Sequence, residues 1–95
     1  MTMFILPSSF WAESVVKLPR AVAEISQEDM FVAFIRHIEG DWGELDQFDW
    51  QVNDDALEYG DRLASQYRDV HGTMFLIITE RDRSVTTILL PGEAM

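Results

Sequence analysis

The chain has no cysteine, and this absence removes several classes of function together. Disulfides, zinc–thiolate centres, iron–sulfur clusters and thiol nucleophiles all need that side chain. Long apolar runs are also missing, since no stretch approaches the roughly 18 apolar residues of a membrane-spanning helix. Residues 1–7 lack the basic region of a signal peptide. We therefore predict a cytoplasmic protein that contacts no membrane, and no motif in the sequence implies a cofactor.

Basic residues are scarce: the chain has 7 Lys and Arg against 17 Asp and Glu, which gives a net charge of −10. Residues 39–61, here named the acidic block, contain no Lys or Arg. The carboxylates of the block are Glu39, Asp41, Glu44, Asp46, Asp49, Asp54, Asp55, Glu58 and Asp61. Like charges held together oppose compaction, so the block points to a positively charged partner surface. The alternative is a solvated acidic face that serves solubility.

The length of 95 residues predicts a single domain over residues 1–95. With 47% hydrophobic and 25% charged residues, the composition is that of a folded globular domain and not of a disordered chain. Nucleic acids and anionic membranes are poor direct partners, because their phosphates would repel the chain.

The clearest predicted element is a helix over residues 26–38. Ser26 is a suitable N-cap, and Glu28 and Asp29 place negative charge in the first turn, where the helix dipole favours it. Arg36 and His37 lie in the last turn, where cations are favoured. Apolar residues recur at helical spacing in one stripe, formed by Met30, Phe31, Phe34, Ile35 and Ile38.

Residues 4–6 and 15–16 are predicted short strands, and Pro19 suits the first turn of a helix that continues to residue 25. Leu45, Phe48 and Val52 recur at helical spacing and predict a short helix at the start of the acidic block. Asn53 or Asp54 is predicted to cap a further turn, which Gly60 ends.

The last third of the chain predicts three strands in series, over residues 62–69, 73–80 and 84–90, joined by short polar turns. Short connections favour an antiparallel meander. The second and third strands are apolar on both sides, which predicts that both faces of the sheet are covered. The helices would cover one face, and either the N-terminal segment or a second copy of the protein would cover the other. The predicted fold class is α+β: an antiparallel meander of three to four strands with two to three helices packed mainly on one face.

Three motifs resemble a family of small bacterial proteins that are common on plasmids, phages and integrative elements. They are HxxGDWGELD over residues 37–46, GxRLxSxY over residues 60–67 and TExDRSxTTILLP over residues 79–91. The resemblance covers about residues 35–91. The first 30 residues depart from the family pattern, and Phe75 or Leu76 stands where many members have Trp.

The resemblance implies a role in the contest between a mobile element and its host. Small acidic proteins in that setting resemble anti-CRISPR and anti-restriction inhibitors. The predicted function is a DNA mimic that occupies a basic DNA- or RNA-binding surface of a host defence complex. Predicted partner-binding residues are Asp41, Trp42, Glu44, Asp46, Asp49, Trp50, Asp54, Asp55 and Glu58. Four aromatic residues lie within the block: Trp42, Phe48, Trp50 and Tyr59. They form either part of the core or part of the contact, where Trp42 or Trp50 would be the anchor, because aromatic residues at interface centres often carry much of the affinity.

A structural or assembly protein that forms a homodimer through its sheet is the main alternative. Catalysis could use Glu80 and Asp82, which lie close together in one turn, but no nucleophile–base pair accompanies them, so an enzyme is not predicted. A metal site could use His37, Asp41 and His71, but their spacing matches no established ligand motif, so none is predicted.

Crowded carboxylates also carry a prediction for stability. Their mutual repulsion resists ionisation, which favours the protonated form in the folded state. The free energy of unfolding should then rise as the pH falls from 7 toward 5.

Overall fold

The computed structural model describes residues 14–93, which form three helices and one four-stranded sheet. In chain order the elements are β1 (Ser14–Lys17), α1 (Pro19–Glu24), α2 (Gln27–Ile38), α3 (Gln47–Tyr59), β2 (Leu63–Arg68), β3 (Met74–Thr79) and β4 (Val85–Leu89). The predicted strand over residues 4–6 lies outside this part of the chain. No helix within residues 14–93 has the length and apolar character that a membrane crossing requires.

The sheet has the strand order β1-β4-β3-β2. The strands β2, β3 and β4 form the predicted antiparallel meander, in which Leu63 pairs with Thr79 and Ile77 pairs with Ile88. The strand β1 departs from the prediction because it pairs in parallel with β4, with Val15 opposite Thr86. The α+β class is confirmed, but the sheet is mixed and only three of its strands form the meander.

Helix α2 confirms the prediction for residues 26–38. The Ser26 hydroxyl accepts a hydrogen bond of 3.1 Å from the Asp29 amide, so Ser26 is the N-cap. Helix α1 begins at Pro19, where a missing backbone N–H costs nothing. Both helices pack on one face of the sheet, where Ala21 of α1 and Met30 and Ala33 of α2 are buried. The core there also contains Tyr67, Phe75, Ile77 and Ile88.

The opposite face of the sheet is also buried over its central strands. Ile78, Thr87 and Leu89 each keep less than a tenth of their surface exposed. Because side chains alternate along a strand, these three lie behind the residues that contact α1 and α2. The prediction that the second and third strands are covered on both sides is confirmed for these positions.

The β2 edge of the sheet is closed by other parts of the chain. The Asn53 side chain donates to the Ala64 carbonyl at 2.6 Å and accepts from the Ala64 amide at 3.2 Å. Farther along the strand, the backbone N–H of Gln66 donates to the Trp42 carbonyl at 3.2 Å, and the backbone carbonyl of Gln66 accepts from the Glu44 amide at 2.7 Å. An edge strand with unpaired backbone groups invites association with another chain. Closing the edge also fixes α3 and the loop before it against β2.

Candidate functional site

The acidic block folds into one loop and one helix, not into the two short helices predicted from its sequence. Asp46 is the N-cap of α3, because its Oδ1 accepts a 2.8 Å hydrogen bond from the Asp49 amide. Gly60 ends the helix in the left-handed conformation, as predicted. The prediction that Asn53 or Asp54 begins a separate turn is wrong, because the Asn53 amide bonds to β2 and leaves the helix uninterrupted.

One side of α3 holds it in the molecule. Asn53 and Ala56 are buried, and Trp50 and Leu57 are partly buried against a small core that includes Ile38. These helix positions recur at three- and four-residue spacing, so they form a single inward face. Trp50 therefore lies between core and surface, and the anchoring role predicted for it stays a prediction.

The structure corrects the prediction for Trp42, because its side chain is 0% exposed. Its ring meets the imidazole of His37 edge-on, with 5.7 Å between the ring centroids. Its indole Nε1 donates a 2.9 Å hydrogen bond to Asp54 Oδ1. A side chain with no exposed surface contacts no partner, so the prediction of Trp42 as an interface anchor is wrong. Instead Trp42 ties the loop and α3 to the core.

Three carboxylates of the acidic block are paired with arginines that flank or lie outside it. The Asp41–Arg36 and Glu44–Arg68 pairs both have closest N–O distances of 2.8 Å, and Asp61 lies 3.3 Å from an arginine, Arg81. Hydrogen bonding to Arg36 lowers the pKa of Asp41. Asp41 and Glu44 were predicted to bind a partner, but each already has a cation beside it.

The remaining predicted acids lie on α3 or at its cap, and all of them are exposed. They are Asp46, Asp49, Asp54, Asp55 and Glu58. Within residues 14–93 none of these five forms an ion pair. Two of them accept side-chain hydrogen bonds, Asp54 from Trp42 and Asp55 from Gln51 at 3.0 Å. The structure therefore concentrates unneutralised charge on one helix.

The outward side of α3 also carries large apolar side chains. Phe48 is 75% exposed, Tyr59 is 73% exposed and Val52 is 48% exposed. None of these three is among the predicted partner-binding residues, and the apolar spacing of Phe48 and Val52 does not correspond to a buried side of the helix. The signal that could have found them is the position of Asp46: once it is taken as the N-cap, helical spacing separates Phe48 and Tyr59 from the inward residues.

His37 lies at the centre of a buried hydrogen-bond network. One ring nitrogen, Nδ1, contacts the Ser65 hydroxyl, and the other, Nε2, lies 2.9 Å from Thr79 Oγ1. Thr79 Oγ1 in turn lies 2.7 Å from Thr86 Oγ1. Burial, together with the charge of Arg83, lowers the pKa of His37 to about 3. Arg36 and His37 both lie in the last turn of α2, as predicted, but burial keeps the imidazole neutral at pH 7, so Arg36 is the cation that complements the helix dipole there.

The same geometry bears on the metal and catalytic alternatives. The part of the chain between residues 14 and 93 places no three His, Asp or Glu side chains together in a metal-binding group. In the β3–β4 turn, Asp82 Oδ1 accepts hydrogen bonds from the Ser84 amide at 3.0 Å and from the Ser84 hydroxyl at 2.6 Å. Glu80 lies 3.9 Å from Arg62. Asp82 thus holds the turn itself, whereas Glu80 pairs with Arg62, which immediately precedes the neighbouring strand β2.

Arg83 connects this turn to the end of α3. Its Nη1 donates to the Asp61 carbonyl at 2.7 Å and to the Glu80 carbonyl at 3.1 Å. No basic residue lies in the last turn of α3, where a cation would complement the helix dipole. Arg83 supplies a cation there from another element, and its backbone adopts a positive φ of 62°.

Comparison of the chain with protein-family models, with curated proteins and with solved structures found no match. The resemblance to mobile-element proteins therefore stays a prediction from the motifs alone.

Proposed function

We propose that this protein is an acidic inhibitor that occupies a basic nucleic-acid-binding surface of a bacterial defence complex of the CRISPR or restriction type. The observation that carries the proposal is the exposed face of α3. Five carboxylates lie on this helix or at its cap, and residues 37–61 contain no Lys or Arg. Such a surface is complementary in charge to a groove lined by Lys and Arg, and complementary potentials guide association.

The acidic face of α3 carries charge of the same sign as nucleic acid but with fewer charges per unit of length. Asp46 and Glu58 are twelve positions apart, so the acidic face extends over about 18 Å of helix. Duplex DNA carries one charge per about 1.7 Å of axis, which gives roughly ten charges over that length. Five carboxylates supply about half of that number. Charge complementarity therefore supports the proposal, and a full copy of the DNA charge pattern is not required.

The experiment is a competition assay with a defence complex captured by the tagged protein from a bacterial lysate that contains restriction and CRISPR systems. We expect the native protein to displace labelled DNA or RNA from the captured complex. Asp55→Asn combined with Glu58→Gln should weaken this displacement markedly. Displacement should also weaken as salt is raised, since exposed charges are screened within about 8–10 Å near physiological ionic strength.

The matched control is Glu24→Gln combined with Glu28→Gln. This pair removes the same two charges from exposed positions away from α3. If the control pair and the α3 pair weaken displacement equally, only the net charge matters and α3 is not the contact. If the native protein leaves labelled nucleic acid bound to every complex it captures, the inhibitor proposal fails.

A further inference from the structure

The outward face of α3 carries an ordered pattern of side chains, here named the outer stripe. It consists of Phe48, Val52, Asp55 and Tyr59, which follow one another at spacings of four, three and four residues. Over eleven residues the stripe extends for about 16 Å along the helix. About three quarters of Phe48 and Tyr59 and about half of Val52 is exposed. Exposed apolar residues that line up in this way are typical of an interaction site.

The spacing indicates the shape of the partner. Apolar residues that alternate at four and three positions keep one side of a helix facing a second helix over several turns. Asp55 stands among the apolar members of the stripe, where a partner helix would place its own seam residues. A Lys or Arg opposite Asp55 would neutralise it, whereas an apolar residue there would leave a desolvated charge.

The charges beside the stripe indicate the same partner. Glu58 lies toward one side of it in the last turn of α3, where the helix dipole disfavours negative charge, and Asp54 lies toward the same side one turn earlier. Asp49 lies toward the other side. Cations of a bound helix would pair with the carboxylates on both sides of the stripe. A second copy of the chain would instead bring further carboxylates to the same place.

We propose that the outer stripe binds a basic amphipathic helix of the partner protein, with an apolar strip that packs on Phe48, Val52 and Tyr59 and with Lys or Arg beside that strip. This inference rests on the proposed function, because it uses the same face of α3. It adds that charge alone does not select the partner. The aromatic side chains supply the contact that a surface complementary only in charge would lack.

The test uses two synthetic peptides of identical Leu and Lys composition and identical net charge. In the first peptide the leucines follow the spacing of four and three and form one stripe on a helix. In the second the same residues are scrambled so that no stripe forms. By fluorescence anisotropy, we expect the native protein to bind the striped peptide about 10-fold or more tightly, since truncating an aromatic anchor typically costs a factor of that order.

The variants separate the apolar contribution from the charge. Phe48→Ala combined with Tyr59→Ala should abolish the preference for the striped peptide and leave the scrambled peptide bound as before. Phe31→Ala is the matched control, because Phe31 is 65% exposed on a different helix, and it should keep the native preference. Circular dichroism should show native helix content in every variant, since the substituted side chains are exposed.

Each outcome bears on one claim. Equal affinity of the native protein for the two peptides, or an undiminished preference in the Phe48/Tyr59 variant, would overturn the inference. Light scattering that shows a native dimer and a monomeric Phe48/Tyr59 variant would also overturn it, because a second copy would then occupy the stripe. If Asp55→Asn with Glu58→Gln binds both peptides as tightly as the native protein, the predicted pairing with Lys or Arg is overturned as well. The proposed function fails separately, and only in the displacement assay, if the native protein leaves nucleic acid bound to the captured complex.

Discussion

His37 should make the stability of this protein fall as the pH is lowered from 7 to 5. In the folded state the ring is fully buried among Ser65 and Thr79, and its pKa is lowered to about 3. In the unfolded chain the ring is free to protonate at its ordinary pKa of about 6.5. Between these two values the unfolded chain binds a proton that the folded protein excludes. The contribution of His37 is therefore fully present above about pH 6.5 and is lost progressively toward pH 3.

The size of the effect at pH 5 follows from the unfolded chain. Each unit of pH below 6.5 favours the protonated unfolded state by about 1.4 kcal/mol, and the folded ring stays neutral at pH 5. The expected loss in the free energy of unfolding is thus about 2 kcal/mol. A domain of this size has a total of roughly 5–14 kcal/mol, so the loss is a measurable share of it.

The assay is urea unfolding at pH 7, 6 and 5, followed by the fluorescence of the three tryptophans. His37→Gln removes the titrating ring, so its stability should lose about 2 kcal/mol less over the same interval, whatever its stability at pH 7. His71→Gln is the matched control, because His71 is exposed in the β2–β3 turn, and it should retain the native slope. Identical slopes for the native protein and His37→Gln would refute the reasoning.

The acidic block predicts that the free energy of unfolding rises as the pH falls, which is opposite to the effect of His37. The same urea unfolding experiment shows which of the two effects is larger. Protonation at lower pH would relieve the repulsion among the carboxylates and so stabilise the folded protein. Asp41 does not contribute to such a gain, because Arg36 lowers its pKa, so its stabilising effect is present above pH 3.8 and is lost only as the pH falls below that value. We expect the His37 effect to dominate between pH 7 and 5. A native protein that becomes more stable over this interval would show that repulsion within the block outweighs it.

Two further predictions concern the closed edge of the sheet, and both are measured by urea unfolding. Gly43→Ala should destabilise the protein by about 3 kcal/mol or more, because the new Cβ would overlap the Gln66 carbonyl and lie 2.7 Å from the Tyr67 ring. Gly60→Ala is its control: the backbone has a similar positive φ of 80° with open space around the new atom, so the cost should be only about 1 kcal/mol, and equal costs would contradict the steric argument. Asn53→Ala should cost about 1–3 kcal/mol, because both hydrogen bonds to Ala64 are lost. The exposed control Gln51→Ala should change stability by less than about 0.5 kcal/mol, and a comparable loss in both variants would mean that the bonds to β2 contribute little.

Sequence reasoning predicted the elements whose signals are local. Helix α2 has an N-cap, acids in its first turn and an apolar stripe within thirteen residues, and the structure confirms it. The three later strands have β-branched residues bounded by turns, and they are confirmed as well. The parallel pairing of β1 with β4 was missed, because it joins segments about 70 residues apart and leaves no periodicity in either one.

Competition between local and tertiary bonding explains the error in α3. Asn53 and Asp54 are residue types that favour helix caps, so the local signal suggested a break. In the fold, the Asn53 amide serves the backbone of β2 and the Asp54 carboxylate accepts from Trp42. Both side chains are used by partners that lie eleven and twelve residues away, and such partners cannot be identified from the helix sequence alone.

In the candidate site, too, only part could be predicted from the sequence. The sequence located the acidic charge but did not show which side chains of the block are exposed. Aromatic residues at positions 42, 48, 50 and 59 of the block look equivalent in the sequence, yet burial selects Trp42 and leaves Phe48 and Tyr59 largely exposed. Asp46 fixes where α3 begins, and Asn53 holds one side of the helix against β2. Folding alone does not require two aromatic residues on the outward side, where they gain little from burial. A binding function is expected where the sequence departs from the pattern that stabilises a fold. The outer stripe departs from that pattern, because its aromatic side chains are exposed.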